Sequence, residues 1–456
     1  MGEAPAIGDA NKSDGSRLLP STPLTSFDDY IAAGGGRGLQ SALAMTPDEV
    51  VSVVEQAKLR GRGGAGFPTG RKWRSVREAA SETGCDPQLV VNGAEGEPGT
   101  YKDRRLIADN PFAVIEGAII ARHAIGAAQA HIAVKARSQQ AQILHGAISD
   151  VANAGWDDPN ALQVVEGPDE YLFGEETALI EVIEGNLPLP RWLPPFQQGL
   201  FATTAHPNPT VVNNIETLAN LPLILSEGAD AFRRAGTTDS PGTMLFTVVG
   251  DVATPGVFEL PLGTPLRELI IDIAGASDVM AVFSGVSAPV IVPEQLDTPL
   301  TYEDMQAAGI AIGSGGFIVY DHRHCIVRVA TELSNFLAVE SCGQCTACKL
   351  GCTAITDLLR KIEAGEGTEQ HLAAIRDRLP GVTDQARCAL PAGEQLVVGS
   401  LLNAFHSEFM DHLGRPCRST ITERVPKIDL LDDIKGEVAY DASYHRKLPD
   451  WSYAQD

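Results

Sequence analysis

The chain predicts a multidomain α/β protein, and three observations carry that prediction. Its 456 residues, 44% of them hydrophobic, exceed what one core normally spans, so two to four domains are expected. Between Gln88 and Thr217, short apolar β-branched runs alternate with helical periodicity, the pattern of an α/β layer. Further on stands a cysteine array, ESCGQCTAC, holding Cys342, Cys345 and Cys348, with a remote Cys388 in QARCALP. That array marks a separate metal-binding part of the chain.

The elements follow in chain order. Met1 to Leu24 is polar and rich in small residues, with no basic segment leading into an apolar one, and residues 1–26 read as a flexible tail. Thr46, Pro47 and Glu49 form a capping-box signature opening a helix to about Arg60. The next segment, GRGGAGFPTGRKW (61–73), contains G-x-G-x-x-G. It follows a helix, not a strand, so the dinucleotide fingerprint lacks its context, and it is not a P-loop. Its glycines still let backbone N–H groups approach an anion, with Arg62, Arg71 and Lys72 adding charge; a plain surface loop is the competing reading. QLVVN (88–92) predicts a strand running into a second glycine-rich loop, NGAEGEPGTYKDR (92–104), at the strand end where open α/β sheets hold ligands. A helix over 111–125, a strand over 131–135, a helix over 138–152 and a strand over 162–165 come next. YLFGEET (171–177) leads into a helix, and PTVVNNIET (209–217) repeats a strand-to-helix junction where Asn213 and Asn214 alone are explained as caps. LFTVVGD (245–251) and PGVFELP (255–261) read as a hairpin-like pair.

C-x2-C-x2-C with a distant fourth cysteine is the ligand spacing of a [4Fe–4S] cluster, because one turn of backbone can deliver three thiolates and folding supplies the fourth. Structural zinc is the alternative, but zinc sites usually pair two C-x2-C knuckles. Cys352 would share the helical face of Cys348 and stays open as a substitute ligand. Cys85, Cys325 and Cys417 are isolated and read as buried apolar thiols, and no disulfide is expected. A net charge of −24 and a pI near 4.8 exclude nucleic acid and anionic membrane surfaces as partners. The apolar neighbourhood from Phe112 to Val134 is interrupted by Glu116, Arg122, His123 and His131, so direct membrane insertion is not expected and the protein is placed in the cytoplasm.

Taken together and in this order, GRGGAGFPTGRKW, NGAEGEPGTYKDR, GEETALIEVIEG, PTVVNNIETLAN and ESCGQCTACKLG resemble the NADH-binding flavoprotein subunit of respiratory complex I. They also resemble the related diaphorase subunits of NAD-linked hydrogenases and formate dehydrogenases. The resemblance runs from about Leu39 to Leu413. It implies a Rossmann-like FMN-binding domain over 27–240, a β-grasp domain of the soluble-ligand-binding type over 241–328, a helical bundle carrying a [4Fe–4S] cluster over 329–418, and a C-terminal tail over 419–456.

Position by position, the resemblance assigns FMN to Gly61, Gly63, Gly64, Lys72, Asn92, Tyr171, Gly174, Glu175, Asn213, Asn214 and Thr217. It assigns the dinucleotide to Gly66, Phe67, Glu95, Glu97, Glu176 and Phe196, and the cluster to Cys342, Cys345, Cys348 and Cys388. The implied activity is hydride transfer from NADH to FMN followed by single electrons leaving through the cluster, or the reverse. No side chain is nominated as catalytic; Glu95 and Glu97 are nicotinamide-side candidates. Only one cluster's worth of patterned cysteine is present, so the implied partners are a thioredoxin-like [2Fe–2S] subunit and a larger iron–sulfur or catalytic subunit, which would hold the protein at the periphery of a membrane in a complex I-like assembly.

Three positions depart from the family pattern. Ala94 stands where relatives carry Asp, Ser75 where they carry an aromatic residue, and Leu193, in PRWLPPF, where they carry lysine. These departures raise an alternative, a redox paralogue that keeps FMN and cluster but binds NADH weakly or not at all and exchanges electrons with another donor or partner protein.

Overall fold

The computed structural model describes residues 17–421, 425–432 and 435–455. The predicted alternation folds into one parallel sheet of order β3-β2-β1-β4, built from β1 (Gln88–Asn92), β2 (Ala130–Lys135), β3 (Leu162–Gly167) and β4 (Thr210–Asn214). Val90 sits between His131 and Val212 in register. Leu89, Val90 and Val91 are wholly buried, which is why β1 reads as a continuous apolar run: a central parallel strand is covered on both faces. All strands of this sheet are parallel, so their carboxyl ends share one edge, and Asn92, Lys135 and Asn214 stand there.

The helices that cover the sheet start where the sequence signals them. The capping box at Thr46 and Glu49 forms as expected, but α1 (Pro47–Gln56) stops four residues short of Arg60, at a turn where Lys58 takes positive φ. The glycine loop then leads into α2 (Thr69–Thr83), and α3 (Lys102–Asp109), which periodicity did not predict, grows out of the second glycine loop. Helix α4 (Pro111–Ile125) is the apolar neighbourhood itself, buried almost all round against the sheet. Its Glu116, wholly buried, accepts hydrogen bonds from Tyr30 Oη (2.7 Å), Gly36 N (2.7 Å) and Leu39 N (2.8 Å). The charge that interrupts the run is therefore a satisfied buried anchor for the N-terminal helices. Gly117 is obligatory because a Cβ there would lie 2.1 Å from the Leu218 carbonyl oxygen.

A second sheet of order β6-β5-β8-β7 has its own apolar core around Phe246, Phe258 and Phe317. It comprises β5 (Thr243–Gly250), β6 (Gly256–Pro261), β7 (Val279–Ser284) and β8 (Gly316–Asp321). The expected β5–β6 hairpin is antiparallel, while β5 and β8 are parallel. After it, α5 (Ile326–Glu340), α6 (Thr346–Glu363), α7 (Glu369–Arg378) and α8 (Leu390–Ala404) pack into the helical part that carries the cysteine array. No helix among the described residues is long and apolar enough to cross a membrane.

Both chain ends depart from the expected tails. Residues 1–16 lie outside the described residues, but Leu18 and Leu19 are buried and the Glu259 carboxylate accepts from the backbone N–H groups of Arg17, Leu18 and Leu19. At the other end, β9 (Ile428–Asp432) and β10 (Glu437–Tyr440) form a hairpin that docks on the first domain. Gly99 N donates to Pro426 O, Arg104 donates to Ile428 O, and Lys427 pairs with Asp169. Downstream, Lys447 and Tyr444 converge on the buried Glu340 carboxylate at 2.9 and 2.8 Å. The segment is acidic and aromatic in sequence yet locked by buried ion pairs, which composition does not disclose.

Candidate functional site

Cys342, Cys345, Cys348 and Cys388 line one small cavity together with Leu172, Pro190, Ser341, Ala386, Arg387, Leu390 and Pro391. Local geometry explains the convergence. Helix α5 ends at Glu340, Ser341 turns extended, and Gly343 takes φ +82°, a left-handed conformation that glycine adopts freely. Cys345 is then the N-cap of α6 and Cys348 lies within its first turn. Cys388 arrives from the loop ahead of α8, whose Leu390 and Pro391 close the cavity.

Polar groups already address the sulfurs. Ser341 Oγ lies 3.2 Å from Cys348 Sγ, and Gln344 Nε2 donates to both Cys342 Sγ (3.6 Å) and Pro190 O (3.1 Å). The Cys352 thiol sits behind Cys348 and its hydrogen bond holds that thiol down to about 7, whereas burial pushes Cys388 up to about 12. Cys352 is wholly buried in α6 and is not among the residues lining the cavity, so the structure gives it a place behind the ligands. Four sulfurs around one void, with donors aimed at them, is a donor set that fits a cluster.

Open α/β sheets hold ligands in the crevice outside the carboxyl ends of their strands, and here that edge meets the cavity through the turn Tyr171–Gly174. Asn92 Nδ2 donates to Gly174 O (2.8 Å), Ala94 N donates to Asn92 Oδ1 (3.1 Å), and Asn214 Nδ2 reaches Asn92 O (3.3 Å) and Asp103 Oδ2 (2.7 Å). Gly174 must be glycine, since a Cβ would meet the Ala94 carbonyl oxygen at 2.9 Å. The glycine loop faces the same edge: a Cβ on Gly63 would lie 3.2 Å from Asn214 Cβ, whereas Gly64, at φ +134°, opens onto free space. Gly61 receives a hydrogen bond on its carbonyl from Tyr302 Oη (2.9 Å), and Gly66 must accommodate the same ring. Arg62, expected as loop charge, is instead wholly buried, its guanidinium donating to the carbonyls of Arg60, Pro241 and Thr243 while its N–H donates to Thr217 Oγ1.

Lys72 Nζ is placed by Glu176 Oε2 (2.8 Å) and Val212 O (2.9 Å), and Trp73 Nε1 donates to Asn213 Oδ1 (2.8 Å). Glu175 caps the helix Glu176–Ile183 through the N–H groups of Thr177 and Ala178. The acidic pair of the second loop is engaged with protein groups: Glu95 accepts from Arg104 Nε and Asp103 N, while Glu97 accepts from Tyr171 Oη (2.7 Å) and Val286 N (2.8 Å). Phe67 and Phe196 are exposed side chains, as are Trp192 and Leu193. Ser75 is also exposed and returns its hydroxyl to Arg71 O of its own helix.

Sequence reasoning passed over a buried ionic group at the crevice floor. Lys102 Nζ contacts Asp103 Oδ1 (2.7 Å) and Glu216 Oε2 (2.8 Å), all three nearly sealed from solvent. Burial lifts the Asp103 carboxyl to about 6 against the pull of Lys102. Lys102 and Asp103 close the second glycine motif and Glu216 lies in the fourth, so the only available signal was their inclusion in the motifs.

Comparison with known proteins settles the family. A model of the Nuo51 FMN-binding domain matches residues 54–223, the SLBB domain matches 245–282, and the NADH-ubiquinone oxidoreductase-F iron-sulfur binding region matches 328–412. The second F-type subunit of NADH-quinone oxidoreductase from Rhizobium meliloti (strain 1021) is 40% identical over 401 residues, covering 84% of this chain and 93% of that protein. This chain belongs to the family of NADH-quinone oxidoreductase F-type subunits. Also similar is NADP-reducing hydrogenase subunit HndC of Solidesulfovibrio fructosivorans, 36% identical across 85% of this chain and 81% of HndC. Among solved structures, an NAD+-reducing [NiFe]-hydrogenase in the H2-reduced state shares the fold with a TM-score of 0.76 and 36% identity, over 84% of this chain and 66% of that one. The FMN-binding match spans the parallel sheet, the SLBB match takes in β5, β6 and most of β7, and the iron-sulfur match holds the four cysteines of the cavity.

Proposed function

We propose that this member of the F-type family is the electron-input flavoprotein of an NADH-linked oxidoreductase, taking a hydride from NADH at FMN and passing single electrons through a [4Fe–4S] cluster to partner iron–sulfur subunits. One observation carries the reading. The turn Tyr171–Gly174 belongs to both sites at once, since Gly174 O is held by Asn92 in the crevice while Leu172 lines the cysteine cavity. A group seated in the crevice would therefore be separated from the cluster by a single turn of chain.

The chemistry FMN supplies when bound is conversion of a two-electron hydride donor to one-electron traffic; the protein supplies orientation and insulation. Gly61, Gly63 and Gly64 would let backbone approach the cofactor, with Gly64 offering open space. Lys72 supplies a positioned cation, and Asn92, Asn213, Asn214, Tyr171, Gly174, Glu175 and Thr217 build the crevice walls. The dinucleotide would lie against Gly66, Phe67, Glu176 and Phe196, of which Phe67 and Phe196 are exposed. Glu95 and Glu97 act here as positioning residues, Glu95 held by Arg104 and Glu97 tying the second loop to Val286, two residues beyond β7. Cys342, Cys345, Cys348 and Cys388 would ligate the cluster, and Gln344 and Ser341 hydrogen bonds to sulfur would set its potential.

The NADH-quinone oxidoreductase relatives favour NADH over another donor, and the three departures do not oppose this: Ser75 and Leu193 are exposed, and at Ala94 the backbone is what engages Asn92. A thioredoxin-like [2Fe–2S] chain and a larger iron–sulfur or catalytic subunit are the expected receivers. Anaerobic stopped-flow mixing of flavin- and iron-replete protein with NADH tests the proposal. Flavin bleaching at micromolar NADH followed by cluster reduction is expected, and bound flavin that stays oxidised would overturn it.

A further inference from the structure

Cys325 and Cys417, isolated in sequence and expected to be inert buried thiols, are brought together with His412. Cys325 Sγ, His412 Nε2 and Cys417 Sγ all lie within 4.8 Å of one another, and Cys325 Sγ is 3.3 Å from His412 Nε2. Three elements meet here: Cys325 is the N-cap of α5, His412 ends the short helix His406–Asp411, and Cys417 begins the segment leading to the C-terminal hairpin. The cluster cavity lies at the opposite end of α5 and takes none of these residues.

Contacts with the backbone hold the donors in place. His412 Nδ1 lies 2.8 Å from the Glu408 carbonyl oxygen, so that nitrogen carries the proton and the Nε2 lone pair is turned toward the sulfurs. Cys417 is held by its own N–H on Glu363 O (2.9 Å). Arg328, one turn beyond Cys325, donates to Ser419 O and Ile421 O and pairs with Glu363 (2.8 Å). Two cysteine sulfurs and one imidazole nitrogen, converging from three elements, match a zinc donor set in softness and number.

We propose that Cys325, His412 and Cys417 bind one zinc ion through Sγ, Nε2 and Sγ, with solvent in the fourth position. Binding releases the two thiol protons and leaves the inner set electrically neutral. The ion would clip the start of the C-terminal segment onto the first turn of α5, the helix whose far end leads into the cluster loop.

The test uses full-length protein purified anaerobically, with zinc and iron counted together and zinc-edge X-ray absorption recorded. About one zinc per chain beside the cluster iron is expected, with two sulfurs at about 2.3 Å and nitrogen at about 2.0 Å. Cys417→Ser should lose the zinc and keep the iron, which separates this site from the cluster and from the proposed electron-input role. Iron-replete wild type that retains less than about a tenth of a zinc per chain after incubation with excess zinc and desalting would overturn the proposal. So would a zinc shell of four sulfurs, or a Cys325–Cys417 disulfide in peptide mass mapping.

Discussion

The cysteine cavity and the crevice beside it solve opposite problems. In the cavity, Cys342, Cys345, Cys348 and Cys388 point at a common void and their sulfurs have few protein partners, so their purpose is visible from spacing alone. In the crevice, polar side chains are engaged by other protein groups: Asn92 by the Gly174 carbonyl, Asn214 by Asp103, Glu97 by Tyr171, Lys102 by Glu216. One site is specified by ligands, the other by a scaffold of mutual hydrogen bonds that shapes an edge. A substitution in the first removes a cofactor; a substitution in the second weakens the fold before it touches chemistry.

Four experiments would break or sharpen that contrast. Cys388→Ala should have the largest effect, lowering iron from about four to below one per chain and abolishing electron exit, while flavin content persists. Loss of flavin in parallel with iron would erase the distinction between the sites. Lys102→Met should leave Asp103 and Glu216 buried without their cation and cost about 3–5 kcal/mol in denaturant unfolding, with the iron retained in whatever protein folds. An unchanged unfolding midpoint would mean the crevice floor is not held by charge.

The C-terminal clamp offers a pH test. Burial would raise the Asp169 carboxyl, but Lys135 and Lys427 outweigh it and hold the group at about 2. A carboxyl depressed in the folded state stabilises it above the unfolded value near 3.9 and loses that contribution as pH falls toward 2. Protection of the 425–432 backbone in hydrogen exchange should therefore decline from about pH 4 to pH 2, and Asp169→Asn should remove this dependence. Smallest is the rim: Leu193→Lys, at an exposed position, should leave stability within about 0.5 kcal/mol. It should tighten NADH by no more than about tenfold in KM, equivalent to about 1.4 kcal/mol. A hundredfold gain would mean the rim, and not the crevice, governs donor affinity.

Much of this was legible before folding. The strands 88–92, 131–135 and 162–165 and the helix 111–125 follow from β-branched runs and from Pro111 and Gly126 as start and stop signals. The glycine motifs located the crevice because close backbone approaches, such as Gly174 against Ala94, tolerate no side chain. Helix α3 was missed because its KDRRLIAD run carries only two large apolar residues, Leu106 and Ile107, which enter the core while Lys102 and Asp103 are buried as an ion pair. The C-terminal hairpin was read as a tail because Lys427, Tyr444 and Lys447 look solvated until Asp169 and Glu340 are brought to them.

By itself, then, the sequence determined the local steps: where strands and helices begin, where the glycine loops lie, and which four cysteines converge on one cavity, since each depends on residues close in the chain or on a spacing set by ligand chemistry. The tertiary structure alone decided that Glu95 and Glu97 fasten loops, that Arg62 is interior, that Glu340 receives the C-terminal segment, and that Cys325, His412 and Cys417 meet. Those outcomes are pairings between residues distant in the chain, as Arg104 and Ile428 are, 324 positions apart, and only the packed chain brings such partners within hydrogen-bond reach.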